Sequence, residues 1–192
     1  MREARRENAL EDEVRDWSVG RGYVLYMSEG IRTKPVGLRK RARLSRLQGC
    51  KEAEMADIRV VTDRFSVAPQ IALEDFAQLA SAGYRHIINN RPDGESPDQP
   101  SSAAMEAAAK QAGLTYVHAP FVGQPTADAV KATLSASSKT LAFCRSGTRS
   151  VTAWAIAEAS QGEEAEYIVD SAENAGYNLA GMTNLLRQLG AK

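Results

Sequence analysis

The sequence is poor in several residues that define whole classes of proteins. Its 192 residues include only two cysteines and two histidines, so neither a disulfide framework nor a histidine-rich metal site is expected. Basic and acidic residues are equal in number, at 24 each, and the formal net charge is zero. The chain as a whole therefore has no general attraction to nucleic acid or to an anionic membrane, and we expect neither as a partner.

Long apolar runs are also missing. No stretch approaches the roughly 20 apolar residues that a membrane-spanning helix needs, and the N-terminus lacks the apolar centre of a secretory signal. With so few cysteines and no export signal, we expect a reducing, cytoplasmic environment. The hydrophobic content of 43% is enough for one ordinary domain with a tail.

Charge divides the chain near Met55. Residues 1–54 carry 13 basic and 9 acidic residues, whereas the remaining residues carry 11 basic and 15 acidic ones. We expect residues 1–54 to form a basic, disordered extension. Two alternatives are an arm that recruits nucleic acid or lipid, and an artefact of start-site choice if translation begins at Met55. The foldable, periodic pattern occupies residues 55–192.

From Ile58 onwards, extended and helical patterns alternate. The pattern predicts strands at 58–61, 65–67, 84–89, 114–119 and 140–143, and helices at 73–82, 103–112, 126–136, 151–159, 163–174 and 179–189. This alternation indicates an α/β fold, a three-layer sandwich with a mainly parallel central sheet. Ligands of such sheets bind beyond the carboxyl ends of the strands. The loops at 90–102 and 120–125 are therefore expected to border the site.

One of these strand ends carries the most informative segment of the chain. Residues 144–150 read Cys-Arg-Ser-Gly-Thr-Arg-Ser and lie between a predicted strand and a predicted helix. The helix dipole, the unpaired amides of the loop and two arginines all favour the thiolate form of a cysteine placed there. We therefore predict that Cys144 is a catalytic nucleophile rather than a buried structural thiol.

The other residues of the loop have predicted roles around a bound anion. Arg149 is expected to hold the anion with its planar guanidinium, and Arg145 to place a second positive charge at the mouth. Gly147 lets the backbone approach a ligand closely, and the hydroxyls of Ser146 and Thr148 add donors. Ser150 has two roles that stay open, a hydrogen bond to the thiolate or the cap of the following helix.

The loop resembles those of two related groups, the protein tyrosine and dual-specificity phosphatases and the rhodanese-like sulfurtransferases. Phosphatases place five residues between the cysteine and the arginine, and usually have histidine before the cysteine. Here four residues separate Cys144 from Arg149, and Phe143 precedes the cysteine. Both departures resemble the tighter rhodanese loop, in which the cysteine carries a persulfide sulfur.

The rest of the domain resembles a phosphatase. The segment His-Ile-Ile-Asn-Asn-Arg-Pro-Asp-Gly-Glu at 86–95 is similar to a strand and loop of dual-specificity phosphatases. Residues 55–189 as a whole resemble the phosphatase-like domain of the bacterial beta-lactamase-hydrolase-like proteins, which occurs alone or fused to persulfide dioxygenases. The resemblance implies a protein tyrosine phosphatase-like fold, a small anionic or persulfide substrate contacted by Arg91, and a persulfide dioxygenase-type partner. It implies no cofactor and no metal.

A phosphatase also needs a general acid, normally an aspartate about 30 residues before the cysteine. The loop at 122–125 has no carboxylate, so Asp128 is the nearest candidate for a catalytic role. Its place in the first turn of a helix is already explained by the helix dipole. Asp93 and Glu95 are the other candidates. The histidines His86 and His118 do not form a metal-binding spacing with Cys144.

Three functions follow from these observations. The loop length favours transfer of a persulfide sulfur through Cys144, a reaction that needs no general acid because a thiolate leaves readily. The alternative is a phosphohydrolase that forms a phosphocysteine intermediate. A second alternative is a non-catalytic anion-binding module or a thiol redox sensor, in which oxidation of Cys144 is the signal.

Overall fold

The computed structural model describes residues 56–192, so the predicted basic extension at 1–54 lies outside the described residues. Within the described range, a single sheet has the strand order β1-β2-β5-β3-β4. The strands are β1 (Arg59–Val60), β2 (Phe65–Ala68), β3 (His86–Asn89), β4 (Thr115–His118) and β5 (Thr140–Phe143). Strand β1 pairs antiparallel with β2, and the other pairings are parallel, which confirms the predicted sheet.

Helices cover both faces of this sheet. They are α1 (Asp75–Ser81), α2 (Ser102–Gln111), α3 (Ala127–Leu134), α4 (Thr148–Ser160), α5 (Ala165–Asn174) and α6 (Thr183–Gln188). Helices α1 and α2 pack on one face around Phe76, Leu79 and Met105. On the other face, α4 lies among α3, α5 and α6 around the buried Trp154. The predicted three-layer α/β sandwich is therefore confirmed.

Strand β5 forms the centre of the fold. Its four residues are all buried, and it pairs with β2 on one side and β3 on the other. Leu141 belongs to the core under α1 and α2, whereas Ala142 belongs to the core under α4. A strand buried on both faces is typical of a parallel sheet, and it gives Cys144, the next residue, a rigid support.

The helices begin within four residues of the predicted starts, and two of these differences have a local cause. Helix α1 begins at Asp75 rather than at 73, because the Asp75 carboxylate accepts the Ala72 amide in a turn before the helix (2.7 Å). Helix α4 begins at Thr148, three residues before the predicted start. Gly147, at φ 89°, is its N-cap, so half of the cysteine loop is already part of the helix.

Two further observations concern the described residues 56–192 alone. No helix among them is long and apolar enough to cross a membrane. They also contain no group of three or more His, Cys, Asp or Glu side chains placed to hold a metal ion.

Candidate active site

Cys144 lies at the carboxyl end of the central strand, directly before the N-terminus of α4. Cys144 is fully buried, and its backbone amide donates a long hydrogen bond to the Ala68 carbonyl (3.4 Å). The Gly147 amide donates to the Cys144 Sγ at 3.2 Å. A backbone N–H aimed at sulfur, together with the dipole of a 13-residue helix, stabilises negative charge on that atom. The loop therefore places a backbone donor and a helix N-terminus at the sulfur.

Tyr177, which is not among the predicted site residues, contacts the backbone of this loop. Its hydroxyl donates to the Ser146 carbonyl at 3.2 Å, and a Cβ added at Gly147 would overlap that hydroxyl. The guanidinium of Arg59 covers the ring, 5.1 Å from its centroid. Burial raises the pKa of Tyr177, the Arg59 charge opposes that rise, and negative charge at Cys144 adds to it. The hydroxyl therefore stays protonated and acts as a donor.

Arg149 projects from the first turn of α4 towards two other loops. Its Nη1 donates to the Phe121 carbonyl at 3.0 Å, and its Nη2 donates to the Glu95 carboxylate at 2.9 Å. The side chain keeps 17% of its surface exposed. Arg149 therefore connects the cysteine loop to both neighbouring loops and remains accessible at the site edge.

Glu95 binds a second arginine as well. Arg91 Nε donates to its carboxylate at 2.7 Å, so one carboxylate lies between two guanidinium groups. The hydrogen bond from Arg149 lowers the pKa of Glu95, burial opposes that effect, and the hydrogen bond from Arg91 lowers it further. Glu95 is thus an ionised bridge at neutral pH.

Arg91 is the buried member of this bridge. Its Nη1 donates to the Gln70 side chain at 2.9 Å, and its amide donates to the Asn89 side chain at 2.8 Å. His118 Nε2 lies 3.0 Å from the Arg91 carbonyl. Only 5% of the residue is exposed. The substrate contact predicted for Arg91 stays a prediction, and the contacts described here give it a role in holding Glu95.

The remaining loop residues divide by exposure. Arg145, Ser146 and Thr148 are exposed, and the hydroxyls of Ser146 and Thr148 lie 3.2 Å apart at the mouth. Ser150 is fully buried in the first turn of α4, and its hydroxyl has no hydrogen-bond partner among the described residues. Gly147 occupies the cap position, so Ser150 does not cap α4, and its hydrogen bond to the thiolate stays a prediction.

The predicted proton donors lie in different surroundings. Asp128 is exposed in the first turn of α3 and borders a cavity of about 480 Å³, together with His86 and His118. The walls of this cavity come from β3, β4, α3 and the residues next to them, and include no residue of the cysteine loop. Asp93 accepts the Ser102 amide at 2.7 Å and so supports the start of α2. The catalytic role of Asp128 stays a prediction.

A cysteine after a parallel strand, with an arginine on the following helix, is the arrangement of phosphatase-like α/β domains. The chain belongs to the family described as the beta-lactamase hydrolase-like protein, phosphatase-like domain, which matches residues 57–161. It is 33% identical over 134 residues to the beta-lactamase hydrolase-like protein of Xylella fastidiosa, and 32% identical over 137 residues to that of Agrobacterium fabrum. These matches cover 67% and 68% of this chain but only 31% and 32% of those proteins.

Solved structures agree with this family assignment. A phosphatase candidate from Neisseria meningitidis aligns with a TM-score of 0.60 at 30% identity, over 69% of this chain and 98% of that one. Kinase associated phosphatase aligns with a TM-score of 0.54 over 73% of this chain and 99% of that one. Its identity of 18% shows a common fold alone. The fold is therefore that of protein tyrosine phosphatases.

Proposed function

We propose that the domain hydrolyses phosphate esters through a phosphocysteine on Cys144. The observation that carries the proposal is the Gly147 amide aimed at the Cys144 sulfur, at the N-terminus of α4. Family membership and phosphatase-like neighbours favour phosphorus over sulfur as the reacting centre. This proposal departs from the sulfur transfer that the loop length favoured.

The chemistry proceeds in two displacements. The Cys144 thiolate attacks phosphorus, and the bond from phosphorus to the leaving oxygen breaks, so the phosphoryl group is transferred to sulfur. Water then attacks the same phosphorus, the S–P bond breaks, and phosphate is released with the thiolate restored. The Arg149 guanidinium and the loop amides offset the charge on the phosphoryl oxygens in both steps.

A thiolate nucleophile works only where it stays reduced, so we place this activity in the cytoplasm. The persulfide dioxygenase-type partner expected from the family resemblance stays a prediction. Because the chain spans about a third of the length of its curated relatives, the activities of those longer proteins do not transfer to this domain.

The four-residue spacing between Cys144 and Arg149 keeps sulfur transfer as the second candidate. Turnover of p-nitrophenyl phosphate and mass spectrometry after treatment with thiosulfate separate the two reactions. We expect phosphate release by the wild type and by Cys50→Ser, and no release by Cys144→Ser. A stable persulfide on Cys144 without phosphate release would instead assign sulfur transfer. If neither a persulfide on Cys144 nor phosphate release is detected, the non-catalytic anion-binding or redox module is the remaining function.

A further inference from the structure

We propose that this site acts on phosphoryl donors whose leaving group departs as a stable anion, such as aryl phosphates, acyl phosphates and phosphoanhydrides. Alkyl phosphate monoesters, whose leaving oxygen must be protonated as it departs, are excluded as efficient substrates. The inference rests on the proposed phosphohydrolase function and specifies its substrate class. It follows from the hydrogen bonds that the carboxylates near the cysteine loop already accept.

Glu95 is the carboxylate that contacts the predicted anion-binding arginine. It accepts hydrogen bonds from Arg149 and from Arg91, and its side chain is 25% exposed. A carboxylate between two guanidinium groups holds no proton at neutral pH, and the direction of its pKa agrees. Glu95 therefore positions Arg149 and has no proton to give to a leaving group.

The other two acids of the same loop bind elsewhere. Asp93 accepts the backbone amide of Ser102, nine residues further along the chain. Asp98 accepts the hydroxyl of Ser96, and this hydrogen bond lowers the pKa of Asp98. The Asp93 carboxylate is therefore occupied by a backbone amide, and Asp98 is stabilised as an anion by its neighbour, so neither is directed at a leaving group.

Asp128 and His118 are the remaining candidates outside that loop. Both border the cavity beside β4, whose walls contain no residue of 144–150. Nε2 of His118 is already paired with the Arg91 carbonyl. The hydroxyl of Tyr177 donates to the Ser146 carbonyl. None of these described side chains is held with an acidic proton directed at the Cys144 sulfur.

Without a donor, the bond to phosphorus breaks with both electrons going to the leaving oxygen, which departs as the free anion. The Cys144 sulfur takes the phosphoryl group, and water removes it in the second step. The rate of the first step then depends on how well the leaving oxygen carries negative charge. This dependence is steep when no acid assists and shallow when one does.

The experiment is a leaving-group series on the full chain. We would measure kcat/KM for substituted phenyl phosphates, from p-nitrophenyl to unsubstituted phenyl, and for acetyl phosphate, pyrophosphate and phosphoserine. Because kcat/KM reports on the first displacement, the common hydrolysis of phosphocysteine does not mask the trend. We expect a fall of about tenfold for each unit by which the pKa of the leaving phenol rises, and no measurable turnover of phosphoserine.

Two results would overturn the proposals separately. A kcat/KM that barely changes across the phenols, or efficient turnover of phosphoserine, shows that an acid assists and overturns the inference about substrate class. If the kcat/KM of Asp128→Asn then depends steeply on the pKa of the leaving phenol, Asp128 is the donor. If no substrate gives phosphate release that depends on Cys144, the proposed function itself fails.

Discussion

At the scale of single residues, the cysteine loop is held by side chains that lie far away in the sequence. Tyr177 reaches the Ser146 carbonyl across 31 positions, and Glu95 reaches Arg149 across 54. Neither contact belongs to the loop motif, yet each fixes one of its functional groups. The motif supplies the reacting atoms, and these distant residues orient them.

The Tyr177 hydroxyl can be removed without removing its ring. In Tyr177→Phe, the stacking under Arg59 remains, while the hydrogen bond to Ser146 is lost. We expect a loss of about 1 kcal/mol in the free energy of unfolding. We also expect slower alkylation of Cys144 by iodoacetamide, because the loop amides are less firmly held around the sulfur. Urea denaturation and alkylation rates over a range of pH measure the two effects.

Tyr167→Phe is the matched control, because Tyr167 is 48% exposed and lies on α5. It should change neither the stability nor the alkylation rate. If Tyr177→Phe lowers stability but leaves the pH dependence of alkylation untouched, Tyr177 is a structural residue and not a positioning one.

The charge of Glu95 makes the stability of the folded state depend on pH. Its pKa is below the ordinary value of 4.5, so its charge stabilises the folded state above the unfolded pKa, and this contribution is lost as pH falls through the folded pKa. At neutral pH we expect Glu95→Gln to be less stable than wild type by about 1 kcal/mol, since the site is partly screened by solvent. The difference should shrink in acid and disappear below the folded pKa.

Urea denaturation at a series of pH values measures this difference. Glu106→Gln, an exposed glutamate on α2, is the control and should follow the wild-type curve. A difference between Glu95→Gln and wild type that stays constant from neutral pH into acid would show that lost packing, and not lost charge, causes the destabilisation.

At the scale of elements, the junction between β5 and α4 contains the chemistry. The buried run at Thr140–Phe143, followed by a glycine-containing loop, was enough to predict a strand, a turn and a helix N-terminus. The start of the helix was predicted three residues late, because Thr148, Arg149 and Ser150 are polar and do not fit an apolar helical pattern. Their helical conformation follows from the left-handed Gly147, which periodicity does not detect.

Gly147→Ala tests this junction. The φ of 89° is strained for alanine, and the added methyl group would overlap the Tyr177 hydroxyl, so we expect a loss of about 1–3 kcal/mol in stability and most of the turnover. Gly181→Ala is the matched control, because a Cβ there meets no atom within 4 Å. Thermal unfolding and p-nitrophenyl phosphate turnover compare the two. Equal behaviour of both variants would contradict the proposed close contact.

At the scale of the whole molecule, the sequence is sufficient to predict the sheet but not the contacts between side chains at the site. Alternating strand and helix patterns predicted the parallel sheet, since those patterns reflect burial of each segment. The bridge of Arg91, Glu95 and Arg149 joins separate loops, and its formation depends on how the sheet brings the loops together. Glu95 was considered as a proton donor, and only the three-dimensional arrangement shows that two arginines hold its charge.

The predicted site residues all lie within the described range, which makes the role of residues 1–54 testable. Ala56 and Ile58, the first residues described here to pack on the core, are kept by a chain that starts at Met55. We expect this shortened chain to fold and to keep its kcat/KM for p-nitrophenyl phosphate, because the groups placed around Cys144 remain. Circular dichroism and steady-state kinetics measure both properties, with the shortened Cys144→Ser variant as the blank. A large fall in kcat/KM with an unchanged circular dichroism spectrum would mean that residues 1–54 contribute directly to substrate binding.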